Sequence, residues 1–125
     1  MNVFVSYSHS DGEWAREISK ELESRGVTTW LETNMSPGES WSDSVREAIT
    51  RCDALVAVVG TRPSPVVLTE MGMAFGQGKD ILPVYSNESW GTTVDLASFA
   101  AIHTSEATVA ADQIVSALSS AAGDA

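Results

Sequence analysis

Residues 54–65 read Ala-Leu-Val-Ala-Val-Val-Gly-Thr-Arg-Pro-Ser-Pro. The first six are continuously apolar and half of them are valine, the pattern of a strand covered on both faces, as in the centre of a parallel sheet. Gly60 and Pro63 break the strand. Ser64 can accept a hydrogen bond from the open N–H groups of a first helical turn, and Pro65 at the next position gives up no intrahelical bond. A helix therefore opens here and runs to about Gln77. A buried strand handing over to a helix through a short loop is one βα unit, and it needs neighbours to cover its faces.

Working outward, the chain supplies them. Val3-Phe4-Val5 is a short apolar run, and Ser10-Asp11-Gly12-Glu13 has the Ser-x-x-Glu spacing of a capping box, which predicts a helix from near Asp11. Trp14, Ile18 and Leu22 form its core stripe and Gly26 its left-handed stop. Residues 27–31 read as a second strand. Residues 32–39 lack periodicity and carry the Pro37-Gly38 turn signal, after which Trp41, Val45, Ala48 and Ile49 mark a second helix. Downstream, residues 81–85 read as a fourth strand, 86–95 as irregular, and 99–103 as a fifth strand. The last helix begins at Ser105, with Ala111, Ile114, Val115, Leu118 and Ala122 on one face. Right-handed crossovers then leave a doubly wound α/β fold, a five-stranded parallel sheet in the flavodoxin-like order 2-1-3-4-5 with helices on both faces. In that order a ligand crevice lies outside the carboxyl ends of strands 1 and 3. The loops that meet there are 7–11 and 60–64, with 32–39 close by.

Composition narrows the function. A chain of 125 residues with 43% hydrophobic and 19% charged residues has the size and make-up of one globular domain. Its net charge of −10, from seven Lys and Arg against 17 Asp and Glu, argues against nucleic acid and anionic membrane as partners, since both need clustered cations. No apolar run approaches the roughly 20 residues of a membrane span. The chain enters its first strand without a secretory-type leader, so a cytoplasmic location is expected. Cys52 stands among the helical core positions and reads as core. With one cysteine and two histidines no zinc spacing can be built, and no metal is expected. There is no Gly-x-Gly-x-x-Gly, no Walker loop and no Gly-x-Ser-x-Gly elbow, which disfavours a Rossmann dinucleotide site, an NTPase and a serine hydrolase.

Several residues near the crevice could carry chemistry. On the helix after Ser64, Val66, Glu70, Met73 and Gln77 share one face, whereas Leu68, Met71 and Phe75 share another that suits the core better. Glu70 is read either as a solvated helix glutamate or as a carboxylate leaning into the crevice. Gly72 and Gly76 cost helix stability, which suggests close approach of a backbone, a partner chain or a ligand. Ser6, Ser8, His9 and Ser10 make a hydroxyl-rich turn around one imidazole, suited to sugar hydroxyls or phosphate oxygens, although capping alone accounts for Ser10. Trp30 could stack on a base or pack in the core. Arg62 is the cation of the crevice loops and could grip a diphosphate or stay solvated. His103 reads as a partly buried structural histidine.

Taken together, Val3-Phe4-Val5-Ser6-Tyr7-Ser8, Trp30-Leu31-Glu32, Pro37-Gly38 before a tryptophan-led helix, and Ser64 with Glu70 six residues later resemble a TIR (Toll/interleukin-1 receptor) domain, particularly the bacterial type. The resemblance runs from Val3 to about Tyr85 in order and spacing, and more loosely to the end. It implies that residues 1–122 are the TIR domain, and that 123–125 are a tail or the start of a linker to a sensor domain. In TIR domains that are enzymes, the glutamate matched by Glu70 is required to cleave the bond between nicotinamide and ribose in NAD+. NAD+ is then the substrate, and no cofactor is implied. By the same resemblance Tyr7, Ser8 and His9 line the ribose and phosphate region and Trp30 stacks. Arg62, Ser64 and Val66 complete the expected substrate-binding set. Asn34, Met35, Ser36, Pro37, Gly38 and Glu39 match the BB loop through which TIR domains assemble, so other TIR domains and a fused or separate sensor are the expected partners. Val66 stands where many active members carry an aromatic residue, and Ser8 and His9 where they carry arginine. The expected activity is an assembly-activated NAD+ glycohydrolase, giving linear or cyclic ADP-ribose, in bacterial anti-phage defence. The alternatives are a non-enzymatic TIR adaptor and a nucleoside deoxyribosyltransferase-like enzyme.

Overall fold

A computed structural model describes residues 1–31, 38, 40–60, 65–86 and 101–123, the last four by their backbone alone. Five parallel strands, β1 (Asn2–Tyr7), β2 (Thr28–Trp30), β3 (Ala54–Val59), β4 (Asp80–Tyr85) and β5 (Ile102–His103), form one sheet in the order β2-β1-β3-β4-β5. The doubly wound fold and its strand order are as the pattern of apolar runs predicts. Helices α1 (Gly12–Ser24), α2 (Trp41–Arg51), α3 (Pro65–Gly76) and α4 (Ala107–Gly123) connect and follow the strands. Among the described residues no helix is long and apolar enough to cross a membrane.

Strand alternation divides the core in two. Val3 and Val5 of β1 and Val56 and Val58 of β3 join α1 and α4, through Ile18, Leu22, Ile114 and Leu118. Phe4 of β1 and Leu55, Ala57 and Val59 of β3 join α2 and α3, through Val45, Ile49, Val67, Met71 and Ala74. All six residues of β3 are buried, which its unbroken apolar run requires. Gly26 takes φ 84°, the left-handed stop expected after α1, and Gly38 takes φ 88° in the exposed turn after Pro37.

Several expectations are corrected. The capping box at Ser10 does not form: residues His9–Asp11 make a 3-10 turn, and Asp11 takes the cap position without a side-chain cap bond. Its carboxylate is engaged elsewhere, as described below. On α3 the core face is Val67, Glu70, Met71 and Ala74, while Leu68 and Phe75 are exposed. The helix is apolar nearly all round, so periodicity could not fix its rotation, and the sheet did. Gly72 and Gly76 have no atom within 4 Å of where a Cβ would stand, so no close approach within the described chain explains them. Lastly, His103 is exposed rather than partly buried, its ring stacked on Tyr85 at 5.4 Å. Within residues 99–103, the strand is confined to Ile102–His103 among the described positions.

Cys52 is core, as its position predicts: it is buried at the end of α2 and its thiol donates to the Ile49 carbonyl at 3.0 Å. Burial pushes the Cys52 thiol and the Tyr85 phenol above their ordinary values. The folded state therefore holds both protons more tightly than the unfolded chain does. Their contribution to stability is complete below the ordinary thiol pKa of about 8.5, and it is lost as pH rises through the raised folded values. Thermal unfolding between pH 7 and pH 11 is expected to be flat at first and then to fall. Cys52→Ala is expected to remove the thiol's share of that fall, and a melting temperature that falls equally in both proteins would contradict the assignment.

Candidate active site

The carboxyl ends of β1 and β3 meet under the first turns of α3. Ser6 has the same strand parity as Phe4, so it points into the α2/α3 layer, and it is 1% exposed. Its neighbour in register on β3 is Ala57. These two small side chains leave room beneath α3, and Glu70, also 1% exposed, fills it. The Ser6 hydroxyl donates to Glu70 Oε1 at 2.5 Å. Burying a carboxylate among apolar side chains costs several kcal/mol unless hydrogen bonds compensate, by order of magnitude about 1.5–3 kcal/mol for each bond to a charged group. An ionised carboxylate so placed stabilises nearby positive charge far better than one in water. Of the two readings left open for Glu70, the solvated one is overturned.

A second carboxylate braces the crevice. The Ser8 hydroxyl donates to Asp11 Oδ2 at 2.8 Å, and the Gly60 N–H donates to the same oxygen at 3.1 Å. Asp11 thus ties the loop after β1 to the end of β3, which is why it does not cap α1. A Cβ on Gly60 would fall on that carboxylate. Gly60→Ala is expected to cost about 1–3 kcal/mol in urea unfolding, through overpacking of this brace. Gly60→Ala combined with Asp11→Ala should recover part of that loss, and a strictly additive double variant would contradict the clash.

The remaining sequence-predicted residues are spread around this centre. Tyr7 has the opposite parity from Ser6 and packs against the α1/α4 core, on the other side of the sheet from Glu70. Ser8 is engaged with Asp11, and His9 is exposed in the 3-10 turn. Val66 is exposed one turn before Glu70. Trp30, half-buried, stacks on Phe4 at 4.9 Å with 20° between the rings. It also lines a cavity of about 380 Å³ with Asn2, Thr28 and Cys52, at the amino ends of the strands, and this cavity does not include Glu70. Arg62, Ser64, Asn34, Met35, Ser36, Pro37 and Glu39 lie outside the described residues. The reading of Ser6 as a ligand-facing hydroxyl is corrected, since its strand parity turns it inward to Glu70. That parity was the signal: a serine following Val-Phe-Val in register with Phe4 is an inward polar residue.

A doubly wound sheet whose central strand and third helix close on a buried carboxylate defines an α/β domain built around one acidic centre. The family model of the TIR domain matches residues 3–120, and the chain belongs to this family. Among solved structures, the CMP N-glycosidase BcmB of Clostridium botulinum aligns with a TM-score of 0.69 at 20% identity, covering 91% of this chain and 97% of that one. The TIR domain of the Toll-related receptor TRR-2 of Hydra magnipapillata aligns at 0.66 and 16% identity, over 81% and 82%. The TIR domains of the activated Roq1 resistosome, which recognises the pathogen effector XopQ, align at 0.61 and 20% identity, over 70% and 60%. At these identities the likenesses establish the fold. No protein of curated function matches the sequence.

Proposed function

We propose that this TIR domain is an N-glycosidase that cleaves the nicotinamide–ribose bond of NAD+, with Glu70 as the catalytic carboxylate. The observation that carries the reading is the buried Ser6–Glu70 pair at the carboxyl ends of β1 and β3. Nicotinamide leaves a pyridinium as a neutral molecule, so the reaction needs no general acid. It needs a negative charge beside the developing oxocarbenium ion, and a desolvated carboxylate supplies that. Water or an adenine nitrogen then captures the ribose, giving linear or cyclic ADP-ribose. Because Glu70 is 1% exposed beneath α3, substrate reaches it only when α3 shifts. Assembly with other TIR domains through residues 34–39, driven by a fused or separate sensor, is the proposed source of that shift. Depletion of NAD+ in an infected bacterium is the proposed purpose, and the proposed location is the cytoplasm.

A second reading is favoured by the likeness to the CMP N-glycosidase, which spans nearly the whole of both chains. In that reading the substrate is a nucleoside monophosphate. Cytosine is a poorer leaving group that calls for protonation, a task a carboxyl group performs only in its protonated form. The test is to incubate dilute and artificially clustered protein with NAD+, CMP and a deoxynucleoside, and to follow release of the free base. Nicotinamide release that rises per protomer on clustering supports the first reading. Cytosine release alone supports the second, and no release from any of them leaves a TIR adaptor.

A further inference from the structure

We propose that Ser6 is the positioning residue of the acidic centre, holding the Glu70 carboxylate in one orientation and favouring its charged form through the bond from its hydroxyl to Oε1. Two departures from apolar patterning carry this. β1 reads Val-Phe-Val-Ser-Tyr and sends Phe4 and then Ser6 into the α2/α3 layer, where valine or isoleucine would pack. The buried stripe of α3 is Val67, Glu70, Met71 and Ala74, an apolar pattern interrupted by one carboxylate. The two interruptions lie 64 residues apart in the chain and meet at 2.5 Å. A buried polar pair of this kind is commonly replaceable by well-packed apolar side chains without loss of stability. The pair is therefore explained by what the carboxylate does.

The hydroxyl has one proton, and giving it to Oε1 fixes the carboxylate plane about its last torsion. The donor is itself fixed, because β1 lies between β2 and β3 in the sheet and Ser6 is within the β1–β3 ladder. A bond donated to the charged form also favours ionisation. Among the described residues, the elements packed against α3 bring few other charged side chains toward it. β3 has no ionisable residue, β1 adds Tyr7 on the opposite face, and β4 adds Tyr85, buried, and Asp80, exposed at the far end. On α2, Asp43, Arg46, Glu47 and Arg51 are all exposed.

The catalytic consequence rests on the N-glycosidase reading, but the coupling itself does not. The experiment uses the full chain labelled with ¹³C at glutamate carboxyl carbons, in the wild type, Ser6→Ala and Ser6→Thr, and follows the Glu70 resonance with pH. Base release from NAD+ is measured over the same range. Ser6→Ala is expected to raise the Glu70 midpoint by about one pH unit and to lower kcat about 10- to 100-fold with little change in KM, and Ser6→Thr to restore both. Should Ser6→Ala unfold, Ser6→Cys, close in size but a weak donor, is read in its place. A Glu70 midpoint that does not respond to loss of the hydroxyl overturns the proposal, as does a kcat that stays within about twofold in an active protein. If the midpoint moves but no substrate is turned over by the wild type, the coupling stands and the N-glycosidase reading fails.

Discussion

Glu70→Gln is expected to lower nicotinamide release by about 100- to 1,000-fold, the scale on which removal of one preorganised electrostatic contact acts. The side chain keeps its shape, so the loss is one of charge. Glutamine still offers an oxygen to the Ser6 hydroxyl, but it brings an amide N–H₂ into an apolar layer, and an unsatisfied donor there costs about 1–3 kcal/mol. Glu70→Met separates the two effects. It fills the space between Val67, Met71 and Ala74 with an unbranched apolar chain, and replacing a buried charge by an apolar side chain of similar volume is often neutral or stabilising. Combined with Ser6→Ala, so that no buried hydroxyl is left unpaired, Glu70→Met is therefore expected to melt at or above the wild-type temperature and to release no nicotinamide. A residue kept for the fold behaves the other way. If loss of activity in these variants follows loss of stability in proportion, Glu70 is structural and the active-site assignment fails.

This contrast also explains what the sequence made legible. The sheet order was readable because each strand is a compact apolar run and each helix has a stripe or a stop, so local signals agree with the fold. The crevice followed from strand order alone. The rotation of α3 was not readable, because Val66, Val67, Leu68, Met71, Met73 and Phe75 offer apolar side chains in every direction. Only the sheet beneath decides which of them is buried. With the rotation uncertain, the depth of Glu70 was uncertain too, and resemblance to a family could supply a role without supplying burial. Ser6 is ambiguous for a related reason: read with Ser8 and Ser10 it belongs to a polar turn, read with Phe4 it belongs to the core. The helix start near Asp11 is legible, but the capping box at Ser10 is not what forms it, and the bond from the Gly60 N–H that engages the Asp11 carboxylate comes from 49 residues away. Long-range partners of short polar side chains leave no local trace.

The second large effect is expected two residues before Ser6. Phe4 is fully buried on β1, between the edge strand β2 and the central β3, in the same apolar layer as Val45, Ile49 and Leu55. Phe4→Ala should cost about 3–5 kcal/mol in urea unfolding, a large part of the 5–15 kcal/mol that holds a domain of this kind together. The slope of the unfolding transition should be unchanged, since the loss lies in the folded state. Phe4→Leu should cost less than about 1.5 kcal/mol, because it conserves most of the volume. It nevertheless removes the ring on which Trp30 stacks at 4.9 Å. That stack borders the cavity at the amino ends of the strands, which does not include Glu70, so Phe4→Leu should leave both KM and kcat for base release within about twofold, unlike Ser6→Ala. Both side chains leave the same strand on the same face, one pleat apart. If Phe4→Leu lowers kcat as Ser6→Ala does, the two positions merely share one packing environment, and the division of β1 into a packing position and a brace for the carboxylate is wrong.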